Sequence, residues 1–390
     1  MSIGRVEIAS FSNKTRDDKR LLKRFIDFHW ELYSRDPRYI PLFDYEYLGS
    51  KLFGIHGFFE PQNLFYRYAD IVFFLARRNG KSVGRCFAFT NSHHNERWDD
   101  KVGFFGEFEC VDDQEVCGAL VGAAESWLKA RGMDTIRGPQ NLLVNEATPG
   151  ILTDGFDARP VVHYHFNNPY YKDLLTGAGL KPVQNVVSWE VAVNDPMVEK
   201  LERVAKKAIE RYDVVLEPWD ARPYKERRRE MLEVYNEAWR DNFGFVPFEE
   251  EEFFVIVDDM RMIMDKGLSM FAYVKGELAG FFGGIPNIAE RMVPRRGGPR
   301  CEAIRLMRMY LTIGKVKGFR LGYLGVKDKF RHIGFGGIMT WKQKLYSQKK
   351  GYEYCDIGWV LEGNREATLL ARFMNAKLTR TYTVFQKPIA

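Results

Sequence analysis

The chain has 390 residues, of which 45% are hydrophobic and 15% aromatic, enough for two globular domains and too apolar for a disordered protein. Lysine and arginine exceed aspartate and glutamate by 58 to 52, a mild excess that does not by itself predict nucleic-acid binding. The five cysteines are scattered without C-x-x-C spacing, which predicts buried reduced thiols rather than disulfides or a zinc framework.

Residues 1–25 carry no apolar signal core, and their acidic residues argue against a transit peptide. No apolar run approaches the roughly 20 residues that a membrane span needs. We therefore expect a cytoplasmic protein without a membrane partner.

The same arrangement of residues occurs twice. The segments "FFLARRNGKSVGRCFAFTN" and "SMFAYVKGELAGFFGGIPN" each read as an apolar strand, a charged turn with glycine, and a second apolar strand. Four residues of the first segment recur in the second at one constant offset of 196 positions: Ala76, Gly80, Gly84 and Asn91 match Ala272, Gly276, Gly280 and Asn287. The repeat predicts an internal duplication.

Each copy has a strand-like start, "VEIASF" or "DVVLEPW", and a helical stretch before its hairpin. After the hairpin, each continues through a strand, a helix ending in glycine, and another strand. This alternation predicts an α/β fold with mixed sheets. We expect two domains, 1–195 and 196–390, with the boundary within "VAVNDPMVEK".

The stretch "GVKDKFRHIGFGGIM" places Gly334, Gly336 and Gly337 where a helix begins, although glycine weakens helices. A helix start exposes free N–H groups and positive dipole, and glycines let an anion reach them. We expect the helix to run from about Gly337 to Lys350 and to end at Gly351. Its predicted buried side consists of Ile338, Trp341, Leu345 and Tyr346.

Positive charge surrounds this loop. Residues 291–320 carry nine basic residues against one acidic residue, Glu302, and Arg331 and His332 lie in the loop itself. This local field suits a polyphosphate ligand.

The pattern Val326-x-x-x-x-Arg331-x-x-Gly334-x-Gly336 resembles the acyl-CoA pyrophosphate loop of the GNAT superfamily of acyltransferases. The following segment, "CDIGWVLEGNREATLLARFMNAKL", resembles the superfamily's next strand and helix, with Asn364 at the usual asparagine. "TYTVFQKPI" resembles its closing strand. The resemblance covers most of residues 212–390 and extends more weakly, through the duplicated hairpin, to the first half. The whole chain thus resembles a tandem-GNAT protein.

The resemblance implies an acyl-CoA-dependent N-acyltransferase, with acetyl-CoA as the first candidate donor, a small-molecule or peptide amine as acceptor, and no metal. The thioester carbonyl would lie between two splayed strands ending near Val326 and Val360. Backbone N–H groups of the Val326 region would stabilise the oxyanion, and the amine would attack directly. The cofactor-binding residues implied are Gly325, Val326, Arg331, His332, Ile333, Gly334, Phe335, Gly336 and Asn364.

The sequence departs from the superfamily pattern at two positions. Ala371 stands where a tyrosine often protonates the leaving thiolate, and Asn375 stands where a glycine usually ends the helix. The first half also lacks the loop, because Asp112 and Asp113 replace its arginine and glycines. Carboxylates at a helix start stabilise the helix and repel phosphate, so we expect this half to have lost acyl-CoA binding.

Further candidates lie in both halves. In "HYHFNNPYYKDLL", His163, Asn168 and Tyr170 are candidate acceptor-binding residues, and His163 and His165 are expected to share one face of a strand. With no acidic or cysteine partner at ligand spacing, we expect no metal there. Glu362 is a candidate base for the acceptor amine. "FEEEEFFVIVDDMRMIMDKG" predicts a solvated helix, and "NFGFVPF" a packed loop rather than a tunnel wall.

Two other functions fit parts of this pattern. A Fem-type transferase also has tandem GNAT-like halves but takes aminoacyl-tRNA, and the basic residues 291–320 would then bind RNA. The intact CoA-type loop argues against it. A non-catalytic acyl-CoA-binding regulatory protein is the other, supported by Ala371. The acceptor, the acyl chain length and the oligomeric state stay open at the level of sequence.

Overall fold

The structure is a computed structural model of the full chain. It describes residues 4–33, 36, 38–51, 54, 56–141, 149–195, 198–261, 263–292 and 302–389. Part of the predicted domain boundary, residues 196–197, and part of the basic run, residues 293–301, lie outside the described residues.

The helices and strands follow the alternation expected from the sequence. Up to residue 192 they are β1 (Glu7–Phe11), α1 (Arg16–Tyr33), α2 (Asp44–Leu48), β2 (Ile71–Arg78), β3 (Lys81–Thr90), α3 (Ser92–Trp98), β4 (Val102–Cys110), α4 (Gln114–Lys129), β5 (Thr135–Gly138), β6 (Ile151–Asp154), α5 (Tyr171–Gly177) and β7 (Lys181–Ala192). They continue with α6 (Val198–Tyr212), β8 (Val214–Pro218), α7 (Tyr224–Ala238), α8 (Glu250–Met260), β9 (Ser269–Val274), β10 (Glu277–Pro286), α9 (Glu302–Thr312), β11 (Gly318–Val326), α10 (Phe335–Lys350), β12 (Tyr354–Leu361), α11 (Arg365–Phe373) and β13 (Lys377–Pro388).

The chain divides into two compact units. The first unit comprises Met1–Val186, Val293–Arg305 and Arg380–Ala390, and the second comprises Val187–Met292 and Leu306–Thr379. The first unit therefore includes the greater part of β13, the last strand in the sequence. The second unit takes the last residues of β7.

In the first unit the strand order is β1-β2-β3-β4-β5-β13. All neighbours are antiparallel except β4 and β5, which are parallel. β13 joins through Phe385, which lies opposite Gly138 of β5. In the second unit the order is β7-β12-β11-β10-β9-β8, with β11 and β12 parallel and the pairs from β11 to β8 antiparallel. Each unit thus has the mixed sheet predicted from its copy of the sequence.

The two predicted hairpins are confirmed and share one geometry. β2 and β3 are joined by Asn79 and Gly80, and β9 and β10 by Lys275 and Gly276. All four turn residues have positive φ, between 50° and 82°, as a two-residue type I′ turn requires. The register agrees as well, since Ala76 pairs with Gly84 and Ala272 with Gly280.

Each unit has its own apolar core. In the second unit α6 and α10 pack on the sheet through residues such as Leu201, Phe335 and Ile338. One prediction about α10 is wrong: Leu345 is 41% exposed and lies outside the core, whereas Trp341 is buried. The four cysteines among the described residues are buried and unbridged, as expected.

Candidate active site

The parallel strands β11 and β12 separate partway along their length. Their pairing runs from Gly318 opposite Tyr354 to Leu321 opposite Ile357 and is not continued beyond, although β11 extends to Val326 and β12 to Leu361. The second unit therefore has the splayed pair of strands implied by the sequence resemblance. In the first unit the ladder of β4 and β5 ends at Phe104 opposite Arg137, but the chain after β5 stays beside β4, since the N–H of Gln140 donates to the carbonyl oxygen of Phe105 at 2.7 Å.

A β-bulge lies at the point where β11 leaves β12. Gly283 of β10 faces Tyr323 and Gly284 faces Leu321, so Gly322 is the extra residue on β11. A Cβ atom at Gly322 would have only Arg320 Nε nearby, at 3.9 Å. Bulges leave one residue outside the ladder and often occur next to active sites. The register of β3 and β4 is interrupted in the corresponding place, beside Glu107.

The loop after β11 leads directly into α10. Asp328–Ile333 form a 3₁₀ turn, and Gly334 then has φ +79°, the left-handed conformation that glycine adopts without strain. No side chain caps α10 at Gly334, and a Cβ there would meet nothing within 4 Å. The start of α10 therefore presents backbone N–H groups and open space, which is what a phosphate needs.

The equivalent helix of the first unit begins differently. The carboxylate of Asp113 accepts hydrogen bonds from the N–H groups of Glu115 and Val116, at 2.9 and 3.2 Å. It also pairs with Arg78, which holds the pKa of Asp113 below its usual value. The N–H groups that an anion would use in α4 are already bonded to this side chain.

The predicted cofactor residues fall into two groups in the structure. Arg331 and His332 are exposed at the mouth of the loop, where Arg331 pairs with Asp328 at 2.9 Å and the ring of His332 packs against Tyr212. Ile333 and Phe335 are buried in the core, so these two residues could contact a phosphate only through their backbone.

Gly325 and Gly336 lie close to neighbouring side chains, and the contact at Gly325 is the tighter of the two. A Cβ at Gly325 would lie 2.5 Å from the ring of Trp239, which directly follows α7, and one at Gly336 would lie 3.2 Å from Leu370 on α11. The second contact places the start of α10 beside α11. Val326, the remaining residue of the motif on β11, is partly buried against the core.

Backbone N–H groups near Val326 are already used by the fold. The N–H of Lys327 donates to the carbonyl oxygen of Ala279 at 2.9 Å, and that of Asp328 donates to Glu237 at 3.0 Å. Lys327 itself is buried and forms an ion pair with Glu233. On β11, Gly322 is the residue that the bulge leaves out of the register with β10.

The three residues of interest after β12 have distinct environments. Asn364 caps α11, its side chain accepting a hydrogen bond from the N–H of Ala367 at 3.0 Å. Glu362 is exposed in the turn between β12 and α11. Ala371 is 1% exposed and belongs to the core of the second unit. A tyrosine at position 371 would therefore have to displace core side chains.

Two buried charged residues at the fork were not predicted from the sequence. Arg320, on β11, is buried and donates from Nε to the carbonyl oxygen of Gly358 at 2.9 Å, with its guanidinium 4.5 Å from the ring of Trp359. Asp356, opposite Arg320 on β12, is also buried. A charged residue within each otherwise apolar strand is the sequence feature that could have identified them. Arg320 was counted only as part of the basic run 291–320.

The segment with the predicted acceptor residues is not a strand. Residues 161–170 are irregular, and His163 has φ +62°, so His163 and His165 do not share a strand face as predicted. Asn168 donates from Nδ2 to the hydroxyl of Tyr170 at 3.0 Å, and that hydroxyl donates to the carbonyl oxygen of Cys110 at 2.9 Å. Asn168 and Tyr170 thus fasten this segment to β4 in the first unit.

Polar side chains are bonded to one another around the end of β4 in the first unit. The N–H of Glu107 donates to Asn141, whose amide lies 2.7 Å from Nε2 of His165. Burial lowers the pKa of His165, which favours the neutral ring. The Glu107 carboxylate pairs with buried Arg85 at 2.6 Å.

Glu109, two residues further along β4, is also buried. One of its oxygens accepts hydrogen bonds from the hydroxyls of Tyr33 and Tyr171, each at 2.5 Å. Burial raises the pKa of Glu109 to about 7, more than its hydrogen bonds lower it. In the first unit the last part of β4 therefore carries a buried hydrogen-bonded network.

The other predicted segments agree with the structure. The acidic segment forms α8, with Glu250 and Glu251 exposed. In "NFGFVPF", Phe245 and Phe248 are buried and pack against Tyr235, which fits the packed loop. Among the described residues no group of three or more His, Cys, Asp or Glu side chains could hold a metal ion. Nor does any described helix have the length and apolar character needed to cross a membrane.

Comparison with known proteins agrees with this fold. A tandem GNAT protein from the clavulanic acid biosynthesis pathway matches 99% of both chains with a TM-score of 0.55, at 10% sequence identity. The bacterial ceramide synthase of Caulobacter vibrioides is 30% identical over 374 residues, covering 94% of this chain and 95% of that protein. The chain is a tandem-GNAT protein of the bacterial ceramide synthase family.

A further relative of this tandem-GNAT protein is Protein YghO of Escherichia coli. It is 28% identical over 388 residues, which cover 95% of this chain and 94% of that protein. The glucosamine N-acetyltransferase region of a fungal multi-domain β-N-acetylglucosaminidase also has this fold, with a TM-score of 0.55 over 99% of this chain and 38% of the other. No family model matches the sequence.

Proposed function

We propose that the protein is an acyl-CoA-dependent N-acyltransferase whose acceptor is the amino group of a long-chain base. The acyltransferase fold supports the reaction class. The acceptor class rests on the relative named a bacterial ceramide synthase, since a ceramide is the amide of a fatty acid and a long-chain amino alcohol. That relationship also favours a fatty acyl donor over the acetyl donor expected from the sequence.

The observation that carries the proposal is the start of α10. Gly334 leaves the helix without a side-chain cap and with open space, directly after a strand that has parted from its neighbour. The backbone N–H groups of Phe335 and Gly336, together with Arg331 and His332, would hold the diphosphate of CoA, since the N–H of Gly337 already donates to the carbonyl oxygen of Gly334 at 3.0 Å. Asp113 closes the equivalent position in the first unit, so we expect one donor site in each chain.

The bound CoA thioester supplies an activated acyl carbonyl carbon. We assign the Gly322 N–H as the donor to the carbonyl oxygen, because the bulge removes Gly322 from pairing with β10 and pairing with β12 has already ended. An acceptor amine must lose a proton to become an amide, and Glu362 is our candidate for accepting it. Acyl-CoA and amine are thereby converted to an amide and free CoA.

One observation favours a second candidate, a non-catalytic acyl-CoA-binding protein. Ala371 is buried in the core, so the position at which GNAT enzymes often carry a proton-donating tyrosine has no such group. A catalytic chain would then have to return the proton to the thiolate from solvent or another side chain. Turnover distinguishes the two candidates.

The test is release of free CoA thiol from acetyl-, octanoyl- and palmitoyl-CoA, with and without sphinganine as the amine, and mass detection of the amide. We expect amide formation with palmitoyl-CoA and sphinganine. It should be lost in Gly334→Asp and retained in Gly334→Asn, which has nearly the same shape without the charge. CoA binding without any amide product, over a panel of amines, would favour the non-catalytic protein. Product from aminoacyl-tRNA alone would instead support the Fem-type alternative.

A further inference from the structure

Helix α9 lies in a connection that is much longer in the second copy than in the first. Residues 91–101 join β3 to β4, whereas residues 287–317 join the corresponding strands β10 and β11. The added length holds α9, which has no counterpart of its size in the first copy. A helix added at this point is not needed to complete the sheet.

The C-terminal part of α9 is anchored on one side and exposed on the other. Leu306 and Met309 are buried, with 5% and 1% of their surface exposed. Met307 is 57% exposed and Leu311 75% exposed, and Leu311 is the most exposed large hydrophobic side chain in the described part of the chain. Residues 307 and 311 are one helical turn apart and therefore share a face.

Basic residues flank this apolar face. Arg308 and Lys315 are exposed, and Tyr310, which is 42% exposed, lies between them in sequence. No aspartate or glutamate occurs in the sequence between Glu302 and Asp328. An exposed face with leucine, methionine and tyrosine, in a sequence segment whose charged residues are all basic, has the composition of a helix that lies in a membrane interface.

We propose that the α9 surface, defined as Met307, Arg308, Tyr310, Leu311 and Lys315, docks the protein onto an anionic lipid bilayer. The apolar side chains would enter the headgroup region and the two cations would face lipid phosphates. The charge pattern selects this partner over a second copy of the chain, because two such basic faces would repel each other. The absence of a spanning segment in the sequence predicted no membrane partner, but docking onto a bilayer surface requires no spanning segment.

The test is flotation of the full-length protein with vesicles of phosphatidylcholine alone or mixed with phosphatidylglycerol. We expect binding to the anionic vesicles, weakened by salt. The Met307→Ser/Leu311→Ser variant should bind at least about tenfold more weakly. Arg308→Gln/Lys315→Gln should lose several-fold for each charge removed. Val204→Ser, which removes a 63% exposed valine from α6, is the matched control and should bind as the wild type does.

Three results would overturn the proposal: no binding of the wild type to anionic vesicles, unchanged binding by both double variants, or an equal loss in the Val204 control. Dimerisation of the wild type that is abolished by Met307→Ser/Leu311→Ser in sedimentation velocity would assign the surface to a second copy instead. Equal unfolding temperatures show that the variants are folded. The assay contains no acyl-CoA, so its outcome is independent of the proposed acyltransferase activity.

Discussion

Gly334 and Asp113 illustrate how far single residues could be interpreted from sequence. Their residue types predicted opposite effects on anion binding, and the structure places each of them at the N-cap position, immediately before the first residue of a helix that follows a strand. The prediction was possible because a helix start is a local feature, determined by a few neighbouring residues. The assignment of CoA to Gly334 itself stays a prediction.

Arg320 and Asp356 mark the limit of this reasoning. Neither was singled out, because a charge within a strand has no fixed meaning until the neighbouring strand is known. The register of β11 and β12 brings these two buried residues opposite each other, next to the fork. Parallel pairing between segments far apart in sequence has no local signal.

Glu109 gives a prediction about pH. Its pKa is raised by burial from 4.5 to about 7, so between these two pH values the folded state binds a proton that the unfolded state has released. Stability should therefore fall as the pH rises from about 4.5 to about 7, by up to about 3 kcal/mol from this group. Glu109→Gln, which can still accept both tyrosine hydrogen bonds, should remove this part of the pH dependence.

The measurement is the free energy of unfolding of wild type and of Glu109→Gln at several pH values. The difference between the two is used, so that the contributions of His165 and other groups cancel. Glu31→Gln, which changes an exposed carboxylate on α1, is the control and should follow the wild type. A constant difference between wild type and Glu109→Gln across this pH range would show that Glu109 does not titrate as its burial requires.

At the level of elements, the turns were predicted well and the irregular segments poorly. Asn79–Gly80 and Lys275–Gly276 determine their hairpins because glycine adopts positive φ readily. The histidine segment was assigned to a strand from its alternation, whereas residues 161–170 form an irregular stretch fixed by Asn168 and Tyr170. Alternation alone cannot identify a strand when side-chain hydrogen bonds to the backbone compete with a ladder.

Two glycines of strand β11 are assigned different roles, Gly325 in packing and Gly322 in the reaction, and an alanine substitution at each position separates the two. Gly325→Ala would place a Cβ 2.5 Å from the rigid ring of Trp239, so we expect it to destabilise the protein by about 1–3 kcal/mol. Gly322→Ala, three residues earlier at the bulge, meets only Arg320 Nε at 3.9 Å and should change stability by less than about 1 kcal/mol. Urea unfolding of the two variants and the wild type measures this contrast.

Acyl-transfer activity tests the role assigned to the bulge at Gly322. The methyl group of alanine at position 322 would narrow the space beside the proposed carbonyl donor. Acyl transfer should therefore fall in Gly322→Ala even though the fold is retained. Full activity in Gly322→Ala would contradict the assignment of the bulge to the reaction, whereas equal stability losses in the two variants would contradict the packing difference between Gly322 and Gly325.

For the whole molecule, the duplicated sequence predicted two GNAT-like halves, and the tandem fold is confirmed by the 99% coverage of a tandem GNAT protein. The composition of the compact units was not predicted. Arg380–Ala390 belong to the first unit although they close the second copy of the sequence, and Val187–Ala192 belong to the second unit although they close the first. A closing strand carries no local signal for the strand it will pair with. The domain limits 1–195 and 196–390 remain a prediction.

The central claim is that one acyl-CoA binds at the start of α10. The most direct measurement is calorimetric titration of CoA into wild type, Gly334→Asn and Gly334→Asp. Both substitutions place a residue that tolerates positive φ in open space, but only aspartate adds a charge that repels phosphate. We predict about one CoA bound per chain, little change for Gly334→Asn, and affinity at least about tenfold weaker for Gly334→Asp. No binding by the wild type, or equal affinity of the asparagine and aspartate variants, would contradict the account.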